Sequence, residues 1–342
     1  MRDKTGNRIT LTESPNQHLL IWGQSGQGKT FCSYRSIEKA VASGKSVLIL
    51  DFSGSYTLPE LEKNEMKLGK DLIIHDVYEE KLCWKLWCKG PKEYLSALAD
   101  ALVNSLGIQS YYQRKLVRQA LEKQTDFSIP SFMNSLEHKR MDAETSKDDK
   151  KNIDHLLTRL MLFENLDHFL VCPIDREKNE GDVMYKPATI IQLSGYSEME
   201  RKFLMSFILN LLWSETRLNQ KSVRCDMLVL DEIQALSLRK GSAFSAMLRE
   251  GRRYGLGVLA ATQFISAYDK EELEALMQAG HFIIFKPSVN DIAFSARMID
   301  RNDMDTWKRI LSRLQIGQAV LVGSYTVNAR KSTADSPIIC NI

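Results

Sequence analysis

The apolar run His18-Leu-Leu-Ile-Trp22 leads directly into Gly23-Gln24-Ser25-Gly26-Gln27-Gly28-Lys29-Thr30, and Phe31 continues into a helix-like stretch closed by Gly44. A buried strand, a glycine-rich turn and a helix therefore follow one another without a spacer. Glycines let such a turn curl and approach a ligand closely, while its amides and the helix N-terminus face negative charge. Lys29 can reach β- and γ-phosphates and Thr30 can ligate Mg2+, so each residue type in the loop has a chemical task. The segment predicts a nucleoside triphosphate with Mg2+ bound near the start of the chain.

The rest of the pattern agrees with that beginning. Ser46 to Asp51 forms a second apolar run after the helix, and further candidate strands are Asp71 to His75, Thr189 to Leu193, Met227 to Leu230, Gly257 to Ala261 and His281 to Phe285. Near-continuous apolar runs suit parallel strands covered on both faces. Helical patterns lie between them, including Glu198 to Glu215 and Ala243 to Tyr254, so the core reads as a doubly wound α/β fold. From about residue 76 to 185 the pattern changes to helical spacing, as in Leu95, Leu98, Ala99, Leu102 and Leu106, then Ile153, Leu156, Leu157 and Leu160. The expected organisation is a core of residues 1–75 and 186–342 with an all-helical insertion at 76–185. Gly107 is placed to stop one helix of that insertion and Pro130 to start another. Trp84 and Trp87 read as core or docking residues, and the mixed-charge run Lys139 to Lys151 reads as a solvated loop.

With 342 residues and a net charge of +3, the chain can bury a large core, and its charge does not by itself announce nucleic acid. Any nucleic-acid contact must be local. The six cysteines show no Cys-x-x-Cys spacing and read as reduced thiols. The longest apolar stretch, Phe203 to Trp213, carries Ser206 and Asn210 and is about half the length a bilayer requires. With no signal-peptide pattern either, the expectation is a cytoplasmic protein without a membrane anchor.

A second chemical signal is Asp226-Met-Leu-Val-Leu-Asp231-Glu232, an apolar strand ending in two carboxylates. Asp231 would hold the Mg2+ shell, and Glu232 would polarise the attacking water as general base. A third is Gly257-Val-Leu-Ala-Ala-Thr-Gln263, a strand ending in an amide that can bond the γ-phosphate or the water.

Together the phosphate loop, Leu50-Asp51-Phe-Ser-Gly54-Ser-Tyr56, Asp231-Glu232, Arg249-Glu-Gly-Arg-Arg-Tyr-Gly with Ala-Thr-Gln263, and Leu314-Gln-Ile-Gly317-Gln-Ala-Val-Leu-Val-Gly323 resemble the HerA/FtsK superfamily of RecA-like ATPases. The resemblance implies a RecA-like core, ring hexamers, DNA pumping and, in a related branch, conjugation or type IV secretion. It also implies that the Gln263 strand lies between the phosphate-loop strand and the Asp231 strand, and it brings Phe31 and Asp51 into the nucleotide-binding set. Ser55 stands where relatives carry an acid after the glycine, and only some twenty residues precede the first strand, too few for the N-terminal β-barrel of HerA proteins.

In a ring, one of Arg249, Arg252 and Arg253 would reach a neighbour's γ-phosphate; arginines at a helix end also complement its dipole. Arg239 and Lys240, in the loop after the acids, would project into a ring channel and contact DNA phosphates. The leading expectation is a homo-oligomeric translocase of duplex DNA, hexameric by resemblance, working with a nuclease or other effector in DNA processing or anti-phage defence. Alternatives are a conjugation or secretion motor and a nucleotide-gated scaffold that activates a partner without moving anything.

Overall fold

The structure, a computed structural model, describes residues 1–12, 16–68, 72–88, 90–122, 124–175, 188–218, 225–328 and 333–342. The chain divides into two compact units, the first made of Met1–Ile73, Tyr185–Ile190 and Val223–Ile342 and the second of Ile74–Met184 and Ile191–Ser222.

The first unit is built on a large sheet. Its strand order is Arg2–Asp3, Ile338–Asn341, Gln318–Val322, His281–Phe285, Leu19–Trp22, Gly257–Thr262, Met227–Leu230, Val47–Asp51 and Ala188–Gln192. The strands from His281–Phe285 to Val47–Asp51 run parallel, and Gln318–Val322 and Ile338–Asn341 close that end antiparallel. Every residue of Leu19–Trp22, Val47–Asp51, Gly257–Thr262 and His281–Phe285 is buried, which is why these segments read as continuous apolar runs rather than alternating ones. The glutamine strand, Gly257–Thr262, lies between the phosphate-loop strand and the acid strand Met227–Leu230, as the family resemblance implies.

The second unit is not all-helical. Helices Pro91–Ser105, Tyr111–Leu121, Ile129–Met141, Lys147–Leu160 and Glu198–Leu218 accompany a parallel pair, Leu82–Cys88 with Phe169–Asp175. The first strand of that pair alternates buried and less buried positions, Leu82, Trp84, Leu86 and Cys88 facing inward with Lys85 exposed. A period-two signal was therefore present in a region whose stronger signal is helical. Helix Glu198–Leu218 falls in this unit, not in the core where the sequence boundary at 186 puts it, because its apolar surface is used here. Phe203 and Phe207 stack at 5.7 Å, Phe163 lies 4.3 Å from Phe203, and Phe127 lies 5.5 Å from Phe207. Trp84 is fully buried, as expected of a core residue. The boundary at 185/186 and Asp71, the expected first residue of a strand, lie outside the described residues; that strand is Ile73–Asp76.

Two local expectations change. Lys139 to Lys151 is mostly helical: Ile129–Met141 ends there, and Ser146 caps Lys147–Leu160 by accepting from the Asp149 amide. Its apolar residues come late in the helix, so the charged first turn resembles a loop when read alone. Cys83 and Cys172 are disulfide-bonded across the strand pair, with Cα atoms 6.4 Å apart, while Cys32, Cys88, Cys225 and Cys340 are free and buried. The reading of six reduced thiols therefore fails for that pair. Among the described residues, no helix is long and apolar enough to cross a membrane.

Candidate nucleotide site

The loop after Trp22 takes its shape from its glycines. Gly23, Gly26 and Gly28 have φ of +145°, +75° and +109°, a region L-residues rarely adopt. At Gly23 space is the second constraint, since a Cβ there would stand 2.6 Å from the Phe285 Cβ and 3.1 Å from the Lys286 carbonyl oxygen. The Gln24 amide donates to that carbonyl at 2.9 Å, and the Gly317 amide donates to the Gln27 carbonyl at 3.0 Å. The neighbouring strand and the closing segment thus brace the loop from two sides. The helix Lys29–Ala42 starts on Gly28 with no side-chain cap and no acid in its first turn, so its free amides face outward as an anion site.

Lys29 folds over the loop, its Nζ donating to the carbonyls of Gly23 at 2.7 Å and Gln24 at 3.0 Å. Burial lowers its pKa, and the nearby charge of Glu232 opposes that shift. Ser25, Thr30 and Phe31 are exposed beside it, Phe31 with the Arg35 guanidinium 4.8 Å over its ring, and Gln24 and Gln27 are half-buried.

Strand register aligns the other chemical groups with this loop. Thr262 pairs with Trp22, and Ala260 and Leu50 both pair with Leu230, so Gly23, Gln263, Asp231 and Asp51 leave the sheet at the same edge. Glu232 adopts a left-handed turn with φ of +53°. Its Oε1 accepts from the Gln263 Nε2 at 2.9 Å, and its Oε2 accepts from the Gln234 amide. Thr262 donates its hydroxyl to the Gln234 Oε1 at 3.0 Å. The carboxylate is therefore oriented by two amides, one of them fixed in turn by the neighbouring strand. Gln234 went unnoticed in the sequence, although it lies two residues from the acid it holds.

Asp231 is buried, accepting from the Phe52 amide at 3.0 Å and from the Ser53 hydroxyl. Burial, then the neighbouring Asp51 charge, pushes its carboxyl up to about 7. Asp51 is fully buried and its carboxylate is occupied by its own turn: Oδ1 accepts from the amides of Gly54 and Ser55 at 2.9 Å each, and Oδ2 from Tyr56 at 2.9 Å. Its pKa is raised by burial against these hydrogen bonds. Asp51 thus shapes the turn that presents Ser53 to Asp231, and it is not exposed toward a nucleotide. Ser53 is the residue there that the sequence reading passed over.

The arginines stand elsewhere. Arg249 lies in the last turn of the helix Ala243–Glu250, and Arg252 and Arg253 lie in the 3-10 turn Gly251–Tyr254, all three exposed. The glutamine strand begins after them at Gly257, beside Met227, at the edge of the sheet opposite the loop. Arg252 is close enough to His18, the residue before the loop strand, to help lower its pKa. The six-residue strand separates the arginines from their own loop by about 20 Å. Arg239 and Lys240 are exposed, in a loop tied down by the Lys240 amide donating to Glu271 at 2.7 Å.

Comparison with known sequences assigns the family. The sequence profile of the HerA helicase central domain matches residues 6–212, which includes the phosphate loop and most of the second unit. The chain belongs to the HerA family. No curated protein sequence matches it. Among solved structures, this HerA family member is similar to the plasmid coupling protein TrwB in complex with the ATP analogue ADPNP, with 17% identity, a TM-score of 0.66 and 95% of this chain covered against 86% of that one. It is also similar to TrwB in complex with ADP and Mg2+, with 16% identity, a TM-score of 0.63 and 95% and 85% covered. VirB4 of Thermoanaerobacter pseudethanolicus matches with 12% identity, a TM-score of 0.66 and 100% and 94% covered. At these identities the likeness is one of fold: a RecA-like P-loop core with a mostly parallel sheet.

Proposed function

We propose that this HerA family member is a cytoplasmic, ring-forming motor that couples ATP hydrolysis to movement of double-stranded DNA, with a nuclease or other effector as partner in DNA processing or anti-phage defence. The chain is an ATPase of the P-loop type and uses ATP with Mg2+. The observation that carries the reading is the arrival of the glycine loop, the Asp231-Glu232 pair and Gln263 at one edge of three adjacent parallel strands.

The roles follow from what each group can do there. The loop amides and Lys29 bind the phosphates, and Lys29 exchanges its two carbonyl partners for phosphate oxygens. The Thr30 hydroxyl and the Asp231 carboxylate are hard oxygen donors of the kind Mg2+ takes, and the bound ion would neutralise charge on the β- and γ-phosphate oxygens. Glu232 accepts the proton of the attacking water, held in orientation by Gln263 and Gln234. Gln263 can bond either Glu232 or a γ-phosphate, so nucleotide state would decide whether Glu232 keeps that partner. Arg249, Arg252 and Arg253 are too far from their own loop to act on it, which supports a role for one of them in a neighbouring subunit. Arg239 and Lys240 supply cations for DNA phosphates, with Glu271 beside them moderating the local field.

A second reading, a conjugation or secretion-type motor, is supported by the likeness to TrwB and VirB4. Phosphate release measured with and without duplex DNA, combined with displacement of a DNA-bound roadblock, separates the two. The duplex motor requires stimulation and directional displacement. Turnover indifferent to DNA favours the secretion motor, and stimulated turnover without displacement favours a nucleotide-gated scaffold.

A further inference from the structure

The second unit carries a helix whose outer face has no use in its own fold. Tyr111–Leu121 buries Gln113, Leu116, Val117, Ala120 and Leu121, and its start is fixed by Ser110, whose hydroxyl accepts from the Gln113 amide. The opposite face presents Tyr111, Tyr112, Arg114, Lys115 and Arg118. The two tyrosines are 74% and 66% exposed, their ring centroids 6.0 Å apart and their planes nearly perpendicular. Tyrosines are usually at least half-buried, so two adjacent exposed rings on one helix call for a partner.

The charges on that face lack counterparts. No acid occurs between Asp100 and Glu122. Some exposed cations on other helices are paired within one turn, Arg35 with Glu38, Lys202 with Glu198 and Lys308 with Asp305. None of Arg114, Lys115 and Arg118 is in an ion pair among the described residues. Arg114 instead donates its Nε to the Ile108 carbonyl at 3.2 Å, which ties one edge of its guanidinium to the turn before the helix.

We infer that this face, Tyr111 and Tyr112 with Arg114, Lys115 and Arg118, is a contact surface for single-stranded nucleic acid, separate from the Arg239-Lys240 loop. The tyrosines stack on unpaired bases and the cations follow the phosphates between them, the combination that binds single strands without reading sequence. Base-paired DNA hides its flat faces and would engage only the cations. A chain carrying a net charge of only +3 attracts no polyanion as a whole, so a contact of this type has to be concentrated on such a face. The inference stands apart from the motor reading, because the strand would bind whether or not nucleotide is hydrolysed.

Fluorescence anisotropy of the full chain, without nucleotide, on a labelled oligothymidine and on a blunt duplex of equal length tests it. The Tyr111→Ala/Tyr112→Ala variant should bind the single strand roughly 10- to 100-fold more weakly, while Tyr111→Phe/Tyr112→Phe retains wild-type affinity. Lys115→Gln/Arg118→Gln should reduce the slope of log affinity against log salt by roughly 0.7 for each cation removed. Phosphate release without nucleic acid should be unchanged in all three variants, so a failure here is distinguishable from a failure of the ATPase site. Unaltered single-strand binding by the alanine variant would overturn the inference. So would loss of oligomeric state in that variant, which would assign the rings to contacts between copies, or an equal loss of duplex binding in it.

Discussion

Gly23 shows how tightly the site is specified by single residues. A methyl group there meets Phe285 and the Lys286 carbonyl, and the backbone already sits at a φ of +145°. Gly23→Ala should therefore cost about 1–3 kcal/mol, read as a lower denaturant midpoint, and should weaken nucleotide binding. His18 supplies a pH dependence. Burial, with the Arg252 charge second, lowers its pKa to about 4, while the unfolded chain titrates at 6.5. The unfolded state binds the proton first, so stability is full above 6.5 and is lost as pH falls toward 4, by roughly 3 kcal/mol at most. Asp231 works in the opposite sense. Its carboxyl, raised from 3.8 to about 7, favours the protonated fold and loses that contribution as pH rises between those values. The two are separated by comparing wild type with His18→Gln in denaturant melts from pH 7 to 4. The variant should lose the His18 part of the slope, and identical slopes would refute its assignment. Glycines, acids and the strand-end amide were legible because their types are dictated by chemistry. Ser53 and His18 were not, because each acts through a partner distant in sequence or through burial, and Gln234 was not, because the Thr262 hydroxyl that fixes it comes from another strand; a motif records none of these.

Secondary elements were legible in proportion to the strength of their period. The parallel strands of the first unit were predicted within a residue or so, since a run of buried β-branched and leucine residues bounded by glycine or acid has few alternatives. The pair Leu82–Cys88 and Phe169–Asp175 was lost among helical signals, and its partners stand far apart in the chain. The apolar end of helix Lys147–Leu160 was read as helical, but its start was lost behind a charged first turn, where Ser146 caps the chain and Asp148 and Asp149 complement the helix dipole. If that cap sets the helix start, Ser146→Ala should destabilise the second unit by about 1 kcal/mol, seen as faster amide exchange over Lys147–Leu160 with little change elsewhere. Uniform exchange across the unit would show that packing, not the cap, fixes this element.

At the scale of the whole molecule, the placement of the arginines matters most. The loop and the acids occupy one edge of the sheet, and Arg249, Arg252 and Arg253 the other, so a complete site requires a second subunit if one of them stabilises the transferred phosphate. If the protein forms the proposed ring, mixing Lys29→Ala with Arg249→Ala, Arg252→Ala or Arg253→Ala should restore turnover for the arginine that acts across the interface, because mixed assemblies contain intact junctions. No recovery in any mixture would make the sites independent. The central claim, that one triphosphate is bound by the loop and hydrolysed through Glu232, is tested most directly by measuring ATP binding and phosphate release side by side in Lys29→Ala and Glu232→Gln. The account predicts that Lys29→Ala loses binding, while Glu232→Gln holds ATP and releases phosphate roughly 100- to 10,000-fold more slowly. Wild-type turnover in Glu232→Gln would contradict it.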